Sequence, residues 1–548
     1  MFRLRPCQKR DSGAPLPKAS KREWKNWSRN LRYLPPKSGK YMFAPRTQAE
    51  LIKVLSDASK KEVKVRVSGQ RHSQPPLVIH DNTVSGRSAK PDIFIIDLSY
   101  YADLDNGQRF EILENNQCRV NAGVREDELD AFLQSNNLAL QTVTAGGIFS
   151  IGGMCANDVH GGTVAAGIFA ETCVSFTIMK HDGTIETIHE NDSANEASGI
   201  KPIQVARVNL GTLGVVTSIT IQCLPRPFLE SLQNEIVVFH AEDKETFAKK
   251  FLPLFQHQRL ETFFDPYNGK YVALTWDIDE NLASGSPNPP ENNVETTMEH
   301  ANEGKYGAPL EGKLLELPAE LVTSEVQVAK ECTDAELLMT TALFTIRRDQ
   351  FADGKKSYSE AWLLKAARTV FMSYFFELPN LDEAALIMAW ELMDVVKKLT
   401  VLPENFHLAG PMEFRFVKGG DSLMAGTYCG GTDTDSSSDK WFINLDLIGF
   451  VDVDESEATS YSDKLLRFFA TVEKTWFEAG GTPHNGKMYG FYDPDGEPGN
   501  YGTPFQSSFI AAVATRRRSV ISSYNAFRKI WDPNGMFEND YVLQILAE

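Results

Sequence analysis

The most constraining feature of this sequence is a strand pattern that runs through a glycine into a histidine. Val63, Val65 and Val67 alternate with charged residues, a period of two that is typical of a half-buried strand. Gly69 follows, and a glycine lets the backbone turn sharply or approach a ligand without a Cβ in the way. His72 then lies in the loop, where it could be a base, a metal ligand, a point of attachment or an ordinary surface histidine.

A second segment, residues 145–163, is unusually rich in glycine. Its six glycines are Gly146, Gly147, Gly152, Gly153, Gly161 and Gly162, against a usual share of about 7%. Glycines provide turns and exposed backbone N–H groups, against which a pyrophosphate can lie. The spacing matches neither GxGxxG after a strand nor GxxxxGK(S/T), so it supports neither a Rossmann nor a P-loop site. Tight turns alone would also explain it.

The length and the element pattern indicate more than one domain. At 548 residues the chain exceeds what one hydrophobic core usually supports. Strand and helix patterns alternate over the first 225 residues, including a helix at 47–60 with a capping box at Thr47 and Glu50. This alternation favours an α+β or α/β domain.

Composition and charge argue against several kinds of partner. The formal net charge of −17 disfavours nucleic acid or an anionic membrane as the main partner. No apolar run approaches the roughly 20 residues that cross a bilayer, and the first residues lack the apolar core of a signal peptide. The cysteines form no CxxC pair, so we expect reduced thiols and a cytoplasmic location. The histidines form no HExxH motif, so we expect no metal site.

A later strand pattern places a carboxylate beside a guanidinium. Glu413 and Arg415 are two residues apart in an apolar segment, so a strand would turn both toward one face. Such a pair could accept a proton from a substrate hydroxyl and stabilise the developing alkoxide, or it could be a structural salt bridge. Asn444 lies in another apolar strand, where a buried amide is either a satisfied core residue or a hydrogen-bonding group for substrate.

The order of these motifs resembles the FAD-binding domain of the vanillyl-alcohol-oxidase-type flavoproteins. The resemblance rests on SGQRHS at 68–73, GGIFSIGGMCANDVHGG at 146–162 and NLGTLGVVTSITIQ at 209–222. GPMEFR at 410–415 and WDPNGMFENDY at 531–541 extend it across the chain. These last two resemble the branch that contains sugar-lactone oxidases, alditol oxidases and the class II (covalent-flavin) cholesterol oxidases.

The resemblance implies a two-domain α+β fold of the vanillyl-alcohol-oxidase/p-cresol-methylhydroxylase type with FAD as cofactor. It predicts an N-terminal arm over 1–36 and an FAD-binding domain over 37–227. A substrate-binding cap of sheet and helices would cover 228–505, and residues 506–548 would return to the FAD domain.

For His72 the resemblance implies a covalent bond to the 8α-methyl group of the flavin, with non-covalent FAD as the alternative. A neutral imidazole nitrogen is the nucleophile that this bond requires. Arg71 stands where many relatives have glycine. Relatives that are also bonded to a cysteine carry that thiol before the glycine segment, and residues 130–150 contain no cysteine. We therefore expect one covalent bond.

The resemblance also assigns the other site residues. The expected FAD-binding residues are Ser68, Gly69, Gln70, Arg71, His72, Ser73, Gly146, Gly147, Ser150, Gly152, Gly153, Asn157, His160, Gly161, Gly214, Val215, Asn539 and Tyr541. His160 could instead be a turn histidine bonded to a backbone carbonyl.

The expected catalytic residues lie in the second half of the chain. Glu413 would accept the proton, Arg415 would stabilise the oxyanion, and Asn444 would lie near the flavin. His484 and Lys487 resemble an HWGK-like element of sugar-lactone and alditol oxidases, with Asn485 in place of the tryptophan. Class II cholesterol oxidases have a glutamate at the position that we match to His484, so the chain departs from them there.

The implied activity is an oxidase reaction on an alcohol C–OH group of a sterol, a polyol or a sugar lactone. Hydride would pass to flavin N5, and O2 would be reduced to H2O2. A dehydrogenase with another electron acceptor and a non-catalytic binding protein on the same fold are the alternatives. The sequence chooses neither the alcohol nor an oligomeric state.

Overall fold

The computed structural model describes residues 23–33, 41–79, 93–144, 147–195, 199–226, 232–278, 326–334 without 328, 337, 369–430, 440–450, 461–496 and 501–548. Most of the expected N-terminal arm and Gly146 of the glycine-rich segment lie outside these described residues.

The N-terminal part contains a hairpin and a small parallel sheet. Its strands are β1 Trp24–Lys25, β2 Arg32–Tyr33, β3 Met42–Phe43, β4 Lys64–Val67 and β5 Ile93–Ile96. The hairpin pairs β1 with β2, and the parallel sheet has the order β3-β5-β4. Helix α1, Gln48–Lys60, follows β3 and begins after Thr47, whose hydroxyl accepts a hydrogen bond from the N–H of Glu50. The strand and the helix start predicted before His72 are therefore present.

The next segment forms a five-stranded antiparallel sheet. Its elements are β6 Phe110–Leu113, β7 Gln117–Asn121, α2 Glu126–Gln134, β8 Leu138–Ala139, α3 Ile151–Cys155, β9 Cys173–Met179, β10 Ile185–His189, α4 Pro202–Ala206, β11 Val215–Gln222 and β12 Leu224–Pro225. The sheet has the order β10-β9-β11-β7-β6, and β8 pairs with β12. A Cβ on Gly152 would lie 2.9 Å from the Cβ of Ala122, so α3 packs against the chain after β7 at a distance that favours glycine.

The second half of the chain forms a seven-stranded antiparallel sheet. Its elements are β13 Leu232–His240, α5 Lys244–Phe251, β14 Arg259–Asp265, β15 Lys270–Ile278, β16 Thr369–Leu378, α6 Glu383–Thr400, β17 Met412–Lys418, β18 Trp441–Phe450, α7 Asp463–Glu478 and β19 Thr482–Pro483. The strand order is β13-β15-β14-β17-β18-β16-β19. Phe414 and Phe416 of β17 contact Phe251 of α5, with ring centroids 5.6 and 5.5 Å apart. The alternation in β17 thus leaves Glu413 and Arg415 on the face away from the helices.

The C-terminal helices are α8 Ser507–Arg516, α9 Arg518–Trp531 and α10 Asp540–Ile545. The chain between α9 and α10 packs against β4. The N–H of Val65 donates to the carbonyl of Met536 (2.8 Å), and the guanidinium of Arg66 donates to the carbonyl of Phe537. These contacts tie residues 532–545 to the strand that leads to His72.

The architecture is the predicted α+β class, with one small parallel sheet and larger antiparallel sheets. One cluster of buried apolar side chains continues from the first sheets into the seven-stranded sheet. The domain boundaries near residues 36, 227 and 505 therefore stay a prediction. Within the described part of the chain, no helix is long and apolar enough to cross a membrane.

Candidate active site

A cavity of about 310 Å³ lies where the first sheets meet the seven-stranded sheet. Its wall combines the loop after β4, helix α3 with its flanking residues, the turn before β11, the inner face of β17 and β18, and the loop after β19. Segments that are far apart in sequence therefore share one concave site, as ligand sites usually do.

Most of the predicted residues lie on this wall. They are Ser68, Gly69, Gln70, Arg71, His72, Ser73, Ser150, Gly152, Gly153, Asn157, His160, Gly214, Glu413, Arg415, His484 and Lys487. The structure thus brings together the histidine loop, half of the glycine-rich segment and the carboxylate–guanidinium pair.

Three predicted backbone residues do not line the cavity. The carbonyl of Gly147 accepts a hydrogen bond from the N–H of Asp127 (2.8 Å) and so belongs to the start of α2. Gly161 packs against the chain at Val143, whose carbonyl oxygen would lie 2.5 Å from an added Cβ. Val215 is buried in β11, whereas its neighbour Val216 is on the wall.

Three predicted side chains also lie off the wall because other protein groups bind them. Asn539 donates to the carbonyl of Pro76 (2.9 Å) and caps the N-terminus of α10, so it connects that helix to the loop after His72. The hydroxyl of Tyr541 shares a hydrogen bond with that of Tyr489. Asn444 donates from Nδ2 to Ser373 Oγ (2.9 Å) on the neighbouring strand, so its amide nitrogen is bound within the sheet.

The His72 ring is clamped between aromatic side chains. Trp27 stacks on it with 5.1 Å between ring centroids, and Phe149 meets it edge-on at 4.7 Å. The backbone N–H of Trp27 donates to the backbone carbonyl of Arg71 (2.8 Å), and Arg71 has a φ of +66°. Burial, with Lys487 nearby, lowers the pKa of His72 to about 3. The imidazole is therefore neutral at physiological pH. The sequence gave no sign that Trp27 lies over His72.

Beside His72 the wall is bare backbone. A Cβ on Gly69 would lie 2.0 Å from the Oγ of Ser150, and one on Gly153 would lie 2.9 Å from the same atom. Gly214 has a φ of +142°, and an added Cβ would lie 2.6 Å from the carbonyl of Met179. These positions accept no side chain without movement of their neighbours, so backbone groups face the cavity there.

The inner face of the large sheet carries a guanidinium among carboxylates. Nη2 of Arg415 lies 2.9 Å from Oε2 of Glu413 and 3.6 Å from Oε2 of Glu261. Asp446 lies opposite Glu413 in the strand pairing. Burial, together with Asp446 and Glu261, raises the pKa of Glu413, although Arg415 acts in the other direction. Burial opposes the charge of Arg415, but these carboxylates raise its pKa and keep it a cation.

Glu261 and Asp446 were missed from the sequence. Asp446 lies between Leu445 and Leu447, and Glu261 lies between Leu260 and Thr262, so each acidic residue has neighbours that turn to the opposite face of its strand. That alternation was a usable signal, since it is the pattern that identified Glu413 and Arg415.

The other two histidines on the wall, His160 and His484, are neutral as well. Burial lowers the pKa of His160 to about 4, with Arg415 contributing, and burial also holds the pKa of His484 well below its usual range. Nδ1 of His484 accepts a hydrogen bond from the N–H of Gly486 (2.9 Å), which leaves the proton on Nε2. Nδ1 of His160 is buried and has no hydrogen-bond partner among the described residues.

The loop with His484 and Lys487 is fixed by a buried carboxylate. Asp158 accepts from both the backbone N–H (2.7 Å) and the Nδ2 (2.8 Å) of Asn485. Asn485, which stands in the place of the tryptophan of related sequences, is therefore a structural residue here. The ammonium of Lys487 lies 4.0 Å from the ring centroid of Phe371. Among the described residues, no group of three or more His, Cys, Asp or Glu side chains is arranged to hold a metal ion.

Comparisons with known proteins give two family matches and several relatives. Residues 40–189 match the family described as FAD binding domain, and residues 385–545 match D-arabinono-1,4-lactone oxidase. An L-gulonolactone oxidase of Scyliorhinus torazame is 22% identical over 522 residues, 95% of this chain and 97% of that one. The chain thus contains both halves of a lactone-oxidase-like flavoprotein in order. The protein has an FAD-binding domain and resembles the vanillyl-alcohol-oxidase-type flavoproteins.

Other similarities of this flavoprotein cover less or show only the fold. The L-gulonolactone oxidase of Mus musculus is 27% identical over 204 residues, 37% of this chain and 41% of that one, so the match spans less than half of the mouse protein. The solved cholesterol oxidase from B. sterolicum has a TM-score of 0.67 at 15% identity and covers 98% of this chain and 100% of that chain. Lactone oxidases and cholesterol oxidases, two of the three kinds of relative that the sequence suggested, are therefore among the matches.

The cofactor of the flavoprotein is FAD, and the cavity wall fits it. The bare backbone at Gly69 and Gly153 leaves room for a pyrophosphate close to the main chain. Oδ1 of Asn157 and Nε of Arg415 are buried without a hydrogen-bond partner among the described residues. A polar group bound in the cavity would supply the missing partners.

Proposed function

We propose that this flavoprotein is an FAD-dependent oxidase that removes hydride from an alcohol C–OH group, with O2 as the final acceptor and H2O2 as the product. The observation that carries the proposal is the Glu413–Arg415 pair, 2.9 Å apart, in the same cavity as the neutral His72 and the glycine backbone. The match to a lactone oxidase family over residues 385–545 supports a sugar lactone or related alcohol as substrate.

The protein residues have separate tasks in this reaction. Bound FAD supplies the hydride acceptor. Glu413 accepts the hydroxyl proton, and its raised pKa brings it closer to the working pH of a general base. Arg415 stays charged and has an Nε–H without a partner among the described residues, so it can donate to the developing alkoxide oxygen. His160 and His484, both neutral, add polar contacts to the same wall.

We further propose that FAD is bonded covalently through His72. Support comes from the neutral imidazole, which is the nucleophilic form, and from the rings of Trp27 and Phe149 that fix its orientation. The test is acid precipitation of the purified protein. Flavin fluorescence should stay with the wild-type pellet and with that of His189→Ala, an exposed control, but not with that of His72→Ala. Flavin in the wild-type supernatant would contradict the bond.

The activity is tested by a peroxide assay on the purified holoenzyme with lactones, polyols and sterols. Peroxide release with at least one alcohol supports the oxidase. Flavin that is bleached by an alcohol without oxygen, and that is reoxidised by a quinone but not by O2, would indicate a dehydrogenase. Flavin that no alcohol reduces would point to a binding protein.

A cytoplasmic location is part of the same proposal. Cys118, Cys155, Cys173 and Cys223 are buried free thiols, as a reducing compartment would leave them. Fractionation of the source cells with an antibody against the protein tests it.

A further inference from the structure

Asp446 is a second carboxylate on the cavity wall that the proposed reaction does not use. It lies on β18, directly opposite Glu413 of β17, and both line the cavity. Opposite residues of antiparallel strands have Cβ atoms about 4.5–5.5 Å apart and project to the same face. The two carboxyl groups therefore lie side by side.

Asp446 is buried, yet one of its carboxylate oxygens accepts no hydrogen bond from the described residues. Its residue is 6% exposed, and its Oδ1 is buried with no hydrogen-bond partner among the described residues. The Nη2 of Arg415 is directed to Glu413 and Glu261 instead. A buried carboxylate oxygen without a donor is unfavourable, so a donor from a bound molecule would stabilise it.

The polar groups around Asp446 favour a ligand with several hydroxyls. Nδ1 of His160 is also buried without a partner in the described part of the chain, whereas the reacting hydroxyl would use the Nε–H of Arg415. A sterol offers one hydroxyl and otherwise hydrocarbon, which would leave such groups unpaired. A polyhydroxylated molecule supplies a hydrogen-bonding group for each.

We propose that Asp446 accepts a hydrogen bond from a second substrate hydroxyl, on the carbon next to the one that is oxidised. Because Glu413 receives the reacting hydroxyl, the neighbouring carboxylate is placed for the neighbouring hydroxyl. Asp446 thereby selects vicinal polyhydroxy substrates over single alcohols. This inference rests on the proposed oxidase function and names its substrate class.

The test compares ligands that differ by one hydroxyl. Glycerol and propane-1,3-diol have the same chain and the same terminal hydroxyls, but only glycerol carries the neighbouring one. Binding to the wild-type holoenzyme is measured from the change in flavin absorbance, and kcat/KM from peroxide release. We expect glycerol to be favoured by at least about tenfold, since a site built for a hydroxyl rejects the analogue that lacks it.

Asp446→Asn should reduce this preference to about threefold or less, mainly because its binding and kcat/KM for glycerol fall. Asp463→Asn, an exposed control on α7, should keep the wild-type preference. Flavin content and circular dichroism establish folding, and Asp446→Ser serves if the amide variant does not fold. An unchanged preference in the variant would overturn the inference, as would equal binding of the two probes by wild type. A changed ligand-free flavin spectrum with an unchanged preference would assign Asp446 to the cofactor instead.

Failure of this inference is distinct from failure of the proposed function. If cholesterol is oxidised and xylitol, glycerol and L-gulono-1,4-lactone are not, the oxidase stands and the role of Asp446 falls. If no alcohol reduces the flavin, the proposed function itself falls.

Discussion

The two walls of the cavity are built in different ways. The wall around Gly69 and Gly153 offers bare backbone, and His72 beside it is neutral. The wall on β17 and β18 offers charged side chains, with Arg415 held among Glu413 and Asp446. The first wall is suited to holding a large cofactor and the second to moving a proton, so a substitution in one should spare the task of the other.

Glu413→Gln gives the strongest test of this difference between the two walls. The amide cannot accept the hydroxyl proton, so we expect kcat to fall by about 10²- to 10⁴-fold while FAD content is unchanged. Stopped-flow reduction of the flavin by the best alcohol of the peroxide assay measures the loss. Glu377→Gln, at an exposed ion pair with Lys440, is the matched control. A Glu413→Gln protein with full turnover would make the pair a structural salt bridge.

A substitution on the other wall, Gly69→Ala, should act on the cofactor alone. The added Cβ would lie 2.0 Å from Ser150 Oγ. Overpacking costs about 1–3 kcal/mol, and we expect FAD affinity to fall by about tenfold to a hundredfold. Equilibrium titration in the His72→Ala background measures affinity without the covalent bond.

The second substitution Ser150→Gly removes the atom that the new Cβ would meet. It should therefore restore most of the FAD affinity of Gly69→Ala. A double variant as weak as the single one would contradict the steric explanation.

The smallest expected effect concerns pH. In the folded protein burial, with Asp446 and Glu261, holds the pKa of Glu413 above its ordinary value. Since Glu413 must be ionised to accept a proton, kcat/KM should fall as the pH drops through that raised pKa. Asp446→Asn removes a negative neighbour, so this acidic limb should move to lower pH, by about one unit or less. A limb that moves to higher pH would contradict the electrostatic account.

The cofactor wall was largely predictable because its signals are local. A glycine between a strand and a histidine, or a run of glycines, restricts the backbone wherever it lies in the fold. His72, Gly69 and Gly153 accordingly lie on the cavity wall. Gly147 and Gly161 share the same run but serve turns and packing, and composition cannot distinguish the two uses.

The charged wall was predictable only in part, because it depends on which strands pair. Asn444 and Asp446 lie on one face of β18, and the sequence favoured Asn444. The structure places Ser373 Oγ 2.9 Å from Nδ2 of Asn444, whereas Oδ1 of Asp446 has no hydrogen-bond partner among the described residues. Contacts of this kind follow from strand register, which residue patterns alone do not specify.

The hydrogen bonds between β4 and residues 536–537 have a consequence for folding during synthesis. Arg66 and Phe537, which they join, are 471 positions apart in the chain. Proteins are synthesised from the N-terminus at about 5–20 residues per second, so the strand that leads to His72 is exposed long before its partner leaves the ribosome. The contacts that fix this strand from behind can therefore form only when nearly the whole polypeptide has been synthesised.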